Sequence, residues 1–98
     1  MRLSEYEKKI ITTTAYDIFG EDTDVFIFGS RIDDNKRGGD IDIYIKCDNK
    51  ENLLDEKIQY LIRLEKFLGN QKIDVVINNK AGLVKPIFEI AENTGIRL

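Results

Sequence analysis

An α+β fold, a small sheet backed by helices, is predicted by three features of this 98-residue sequence. Asp40-Ile41-Asp42-Ile43-Tyr44-Ile45-Lys46 alternates without a break, the period of a strand with one buried face. Ser4-x-x-Glu7 has the spacing of a capping box, and Leu3, Tyr6, Ile10, Ala15 and Ile18 recur near the helical period around it. Strand-like runs and helical stretches follow one another along the chain, and a sheet covered by helices buries both kinds of apolar face.

The elements follow in order. The first helix is expected over about residues 5–19, with Gly20 placed to end it. Asp24-Val25-Phe26-Ile27-Phe28 reads as a short buried strand that stops at Gly29-Ser30, and a polar loop runs from Arg31 to Gly39. The alternating strand 40–46 comes next. Asp48 to Gly69 is the longest helical stretch: Asp48-x-x-Glu51 can cap it, and Leu54, Ile58, Leu61, Ile62 and Leu68 line one face. Lys72-Ile73-Asp74-Val75-Val76-Ile77 is a third strand. A last helix runs from about Val84 to Asn93, with Pro86 tolerable only in its first turn. Gly95 closes it, and Ile96-Arg97-Leu98 can add a short edge strand. With no linker, repeat or low-complexity tract, residues 1–98 are expected to form a single domain.

Composition narrows the function. Apolar residues make up 42% and charged residues 34%, the balance of a folded chain. No apolar run is long enough to span a bilayer, and the opening residues have no apolar export core, so a cytoplasmic location is expected. A net charge of −3 with scattered Lys and Arg argues against nucleic acid as the main partner. Cys47 is the only cysteine and there is no histidine, which removes structural zinc and Ser-His or Cys-His catalysis.

One constellation carries chemistry: Gly29-Ser30, nine residues, Asp40-Ile41-Asp42, then Asp74 on the following strand. Side chains at i and i+2 share a face of a strand, so Asp40 and Asp42 point together while Ile41, Ile43 and Ile45 face the core. Asp74 lies on the polar side of its own strand, opposite Ile73, Val75 and Ile77. If the two strands are neighbours, three carboxylates converge. Such a group repels itself, and a hard divalent cation relieves the repulsion; Mg²⁺ favours one or two carboxylates plus phosphate oxygens. A pair of these ions can clamp the attacking and leaving oxygens of an in-line displacement at phosphorus. Gly29 lets backbone come close to a phosphate, Ser30 and adjacent N–H groups can hold β- and γ-phosphate oxygens, and Arg31 offers them a planar fork. Each part alone has an ordinary explanation: a solvated strand face, a turn, a surface arginine. The order strand, Gly-Ser, loop, Asp-x-Asp strand, helix, Asp-bearing strand is what points to a site.

Phe28-Gly29-Ser30-Arg31, the nine-residue gap and Asp40-Ile41-Asp42-Ile43 resemble the signature of the polymerase-β-like nucleotidyltransferase superfamily. The small size, the Gly-Ser-Arg opening and the closing Glu92-Asn93-Thr94-Gly95-Ile96-Arg97-Leu98 resemble its minimal branch, the MNT proteins. The gap is one residue shorter than in some MNT antitoxins, a difference a loop absorbs. The resemblance implies a small mixed sheet flanked by helices, the polymerase-β palm-like fold. It implies Asp40 and Asp42 as metal ligands, Asp74 as the third carboxylate, completing the metal site or helping to deprotonate the acceptor, and Gly29 and Ser30 as triphosphate holders.

It further implies Mg²⁺ as cofactor, two ions bound together, ATP or another NTP as donor, and an all-helical HEPN toxin as partner. Some MNT antitoxins silence that toxin by moving AMP to one of its tyrosines. The alternative is a non-catalytic antitoxin that neutralises a HEPN ribonuclease by covering it, with an idle site. A transferase acting alone on aminoglycosides is disfavoured by the absence of a second, substrate-holding domain. The acceptor is therefore expected to be held partly by a partner, or by another copy of this chain in a homo-oligomer.

Overall fold

Glu5 to Phe19 form helix α1, and the capping box at its start is made in full: Ser4 Oγ accepts from the Glu7 N–H at 3.1 Å and Glu7 Oε1 accepts from the Ser4 N–H at 3.0 Å. The computed structural model describes residues 3–29, 40–48, 52–82 and 84–98. After α1 come β1 (Asp24–Phe28), β2 (Ile41–Lys46), α2 (Leu53–Leu68), β3 (Ile73–Asn78), α3 (Pro86–Thr94) and β4 (Ile96–Arg97). The strands form one sheet in the order β3-β2-β1-β4. β1 is antiparallel to both β2 and β4, whereas β2 and β3 run parallel and are joined by α2 as a crossover. The sheet is mixed and flanked by helices, as the sequence predicts. No helix of the described residues is long and apolar enough to cross a membrane.

Strand alternation divides the core. Val25, Ile27, Ile41, Ile43, Ile45 and Val75 point to one face, where Ile11, Ala15 and Phe19 of α1 and Tyr60 and Leu64 of α2 cover them. Burying each large aliphatic side chain contributes about 1.5–3 kcal/mol, so this layer supplies most of the hydrophobic stabilisation. Phe26, Phe28, Tyr44 and Val76 point to the other face, where Phe88, Ala91 and Ile87 of α3 cover part of it. The short α3 leaves the opposite end of that face open, and the acidic residues lie there.

Two expectations need correction. Helix α2 begins at Leu53 with Asn52 at its N-cap position, and Asn52 makes no side-chain cap. Asp48 does not cap it, because its carboxylate is drawn to Lys80 Nζ at 3.3 Å; Glu51 lies outside the described residues. The face of α2 with Leu54, Ile58 and Ile62 is not turned to the core. Those three are 71%, 47% and 60% exposed, while Tyr60 and Leu64 are fully buried. Tyr60 takes the core side because its hydroxyl donates to the buried Ile11 carbonyl of α1 at 2.9 Å, an anchor that apolar spacing does not reveal. Tyr44, like Tyr60, lies inside the core.

Gly95 sets how closely α3 approaches the sheet. A Cβ on it would run into the Ala91 carbonyl oxygen and stand 2.9 Å from the Ile27 carbonyl oxygen. Both obstacles are backbone. Gly95→Ala is therefore expected to destabilise the fold by about 1–3 kcal/mol, the usual range for overpacking, read as a lower urea midpoint at unchanged slope.

Candidate active site

The register of β2 decides what meets at the open end. Asp42 pairs with Phe28 of β1 on one side and with Asp74 of β3 on the other. Neighbouring strands lie ~4.8 Å apart and residues i and i+2 on one strand ~6.6 Å apart, so Asp40, Asp42 and Asp74 form a triangle on one face. The parallel pairing thus brings the three predicted carboxylates together. Asp42 is half-buried and Asp74 exposed at the rim. Asp40 stands just ahead of β2, with its Oδ2 3.7 Å from Lys72 Nζ. Among the described residues no three ligand-type side chains are drawn tightly enough to form a finished metal site. Asp40 leans on Lys72 instead.

Electrostatics single out Asp42. Burial pushes its carboxyl above the ordinary 3.8, the negative charges of Asp74 and then Asp40 push it further, and only Lys72 works the other way. A half-buried carboxylate facing two others gains from a positive charge placed among them. Hard oxygen donors clustered on a face fit a divalent ion of the Mg²⁺ class, and Asp40, Asp42 and Asp74 are the residues that would hold it.

Gly29 completes the described part of the site. It follows β1 directly with φ +76°, a left-handed conformation that L side chains rarely adopt. A Cβ here would collide with Asp42 Oδ2 and lie 3.2 Å from Asp42 Cγ. The turn after β1 is thus packed against the carboxylate, which only a residue without a side chain allows. Ser30 and Arg31, the other two expected phosphate-holding residues, lie outside the described residues.

Two features escape the linear pattern. Lys72 reads as a solvated strand residue, yet the parallel pairing of Ile41 with Ile73 sets it beside Asp40. Further along the same face, the Tyr44 hydroxyl donates to Glu92 Oε2 at 2.7 Å and accepts from Asn78 Nδ2 at 3.0 Å, and Lys46 Nζ reaches Glu92 Oε1 at 3.0 Å. Burial foremost holds the Tyr44 phenol up to about 12. This network ties α3 to β2 and β3 two residues beyond Asp42. Removing the hydroxyl by Tyr44→Phe leaves Asn78 and Glu92 each short of a partner. The expected loss is about 1 kcal/mol, measurable by chemical denaturation, with the open end of the sheet intact.

A mixed sheet that sets a glycine turn against carboxylates on adjoining strands suits transfer at phosphorus. The family model described as polymerase beta, nucleotidyltransferase matches residues 9–96, and the chain belongs to that family as a minimal polymerase-β-like nucleotidyltransferase. Its fold is the fold of that family and its general activity is nucleotidyl transfer. No curated protein matches the chain.

Proposed function

We propose that this nucleotidyltransferase moves AMP from ATP to a hydroxyl of a partner protein, a tyrosine of a HEPN toxin, and so acts as an antitoxin. The observation that carries the catalytic half is the packing of the Gly29 turn against Asp42, with Asp40 and Asp74 beside it. An idle site has no reason to keep three like charges together around a half-buried one. Asp40 and Asp42 hold Mg²⁺, with Asp74 completing the group; the ion, when bound, neutralises charge on the phosphates.

The remaining work falls to the chain itself. The Gly29 turn admits the triphosphate close to backbone N–H groups, and Ser30 and Arg31 bind its β- and γ-phosphates. Binding there orients the α-phosphorus toward the rim where Asp74 is exposed. The acceptor oxygen bonds to the α-phosphorus, the bond to the bridging oxygen breaks, and pyrophosphate leaves. The acceptor proton passes to Asp74, which stands open to an incoming hydroxyl. Catalysis is then mostly positioning and charge compensation, as suits transfer at phosphorus. The partner protein supplies part of the hold on its own tyrosine.

Mass spectrometry of a candidate HEPN partner, after incubation with this chain, ATP and Mg²⁺, tests the reading. The expected product is an AMP adduct on a tyrosine, absent when that tyrosine is replaced by Phe. Neutralisation of the toxin without any adduct would replace this reading by that of a binding antitoxin.

A further inference from the structure

The outer edge of β3 carries unused backbone groups. The Ile41 N–H donates to the Lys72 carbonyl at 2.9 Å and the Cys47 N–H to the Asn78 carbonyl at 3.0 Å. Residues of a parallel strand turn their backbone groups to a neighbour alternately. Lys72, Asp74, Val76 and Asn78 therefore bond inward to β2, while Ile73, Val75 and Ile77 turn theirs to the open side. β3 is the last strand of the sheet on that side. A groove of about 530 Å³ follows this edge, floored by Val75, Val76 and Ile77, with Leu54 and Lys57 of α2 on one wall and Lys85 on the other.

We propose that a second copy of this chain fills the groove, pairing β3 with β3 antiparallel about a two-fold axis at Val75. An occupant of this groove needs an extended backbone and apolar side chains at alternate positions toward α2. β3 itself has that pattern. With Val75 opposite Val75 of the other copy, Ile73 meets Ile77 and Ile77 meets Ile73, each opposed pair exchanging two N–H···O bonds. These are the residues whose backbone groups are free, so this register satisfies all of them. Their side chains lengthen the apolar row beneath α2.

The exposed face of α2 fits as well. A crossover helix rides on its own pair of strands, so two α2 helices come about 10 Å apart and antiparallel, an ordinary helix–helix spacing. Leu54 and Ile58, left exposed in one copy, are then covered by the same face of the other. The edge strand, itself an aggregation liability when open, is closed in one symmetric step.

The test is the solution mass. Light scattering coupled to size exclusion should give twice the 11.3 kDa chain mass for the native protein. Ile58→Glu, at a position 47% exposed in the single copy, should give a monomer with unchanged helical circular dichroism. Leu54→Glu, at a groove position 71% exposed in the single copy, should weaken the dimer by on the order of tenfold, as burying an unpaired charge does. A native protein that remains at 11.3 kDa at high concentration overturns the proposal. So does a dimer indifferent to both substitutions, and so does a monomer whose groove takes up an extended segment of a different protein.

Discussion

Asp42→Asn is expected to lower nucleotidyl transfer about a thousandfold while making the metal-free protein more stable at neutral pH. The loss follows from its place at the centre of the carboxylate group, since removing one preorganised charge from such a site costs roughly 10²–10³ in rate. The gain in stability has its own sign argument. Folding raises the Asp42 carboxyl above 3.8, chiefly through burial and then through Asp74 and Asp40. Its contribution to stability is thus fully present below the unfolded value and is lost as pH rises through the folded one. At pH 7 the ionised group opposes folding, and the neutral amide does not.

Urea unfolding in the presence of a chelator should therefore show Asp42→Asn more stable than the native protein at pH 7, with the gap closing toward pH 3. Adding Mg²⁺ should raise the melting temperature of the native protein and leave the variant nearly unmoved, because a ligand stabilises only the state that binds it. A variant less stable than the native chain at pH 7 without metal would show that Asp42 has a favourable partner.

Gly29→Ala should damage both stability and activity. The residue would be held at φ +76°, which costs an L side chain roughly 1–2 kcal/mol. Its Cβ would also displace the Asp42 carboxylate, an overpacking of about 1–3 kcal/mol. Together these predict a destabilisation of about 2–5 kcal/mol and loss of activity, since both the turn and Asp42 are moved. The two contributions separate in a double-mutant cycle. In an Asp42→Ala background the steric part disappears and the conformational part remains, so Gly29→Ala should cost about half as much there. Equal costs in the two backgrounds would mean that Gly29 and Asp42 are not in contact.

Much of this arrangement is legible in the sequence, for reasons that can be named. The alternation from Asp40 to Lys46 assigns Ile41, Ile43 and Ile45 to the core and the aspartates to the other face, and the structure has them there. Ser4 and Glu7 mark the start of α1 because a capping box is a local interaction. What the sequence leaves open is long-range. That β2 and β3 are parallel neighbours fixes the meeting of Asp42 with Asp74 and of Asp40 with Lys72, and no local pattern encodes it. The Tyr44–Glu92 bond joins residues 48 positions apart. The same limit explains α2, whose apolar stripe of Leu54, Ile58 and Ile62 has the spacing of a core face but loses the core to Tyr60 and Leu64. Apolar spacing says that a face will be covered, not by what.

The exposed stripe and the open β3 edge also bear on how this domain can act on another protein. A sheet whose carboxylates sit at one rim, beside an unpaired strand, presents its chemistry next to an assembly surface. Binding and transfer are then separable: Ile58→Glu should change the mass of the protein in solution, and Asp42→Asn should not.

The most direct test of the central claim, that the Asp42 group transfers a nucleotidyl moiety, compares label transfer from α-labelled and γ-labelled ATP with Mg²⁺ and a HEPN partner, for the native chain and Asp42→Asn. Label is expected on the partner from α-labelled ATP alone, and is expected to be lost in the variant. Transfer of the γ label, or equal labelling by Asp42→Asn, would contradict it.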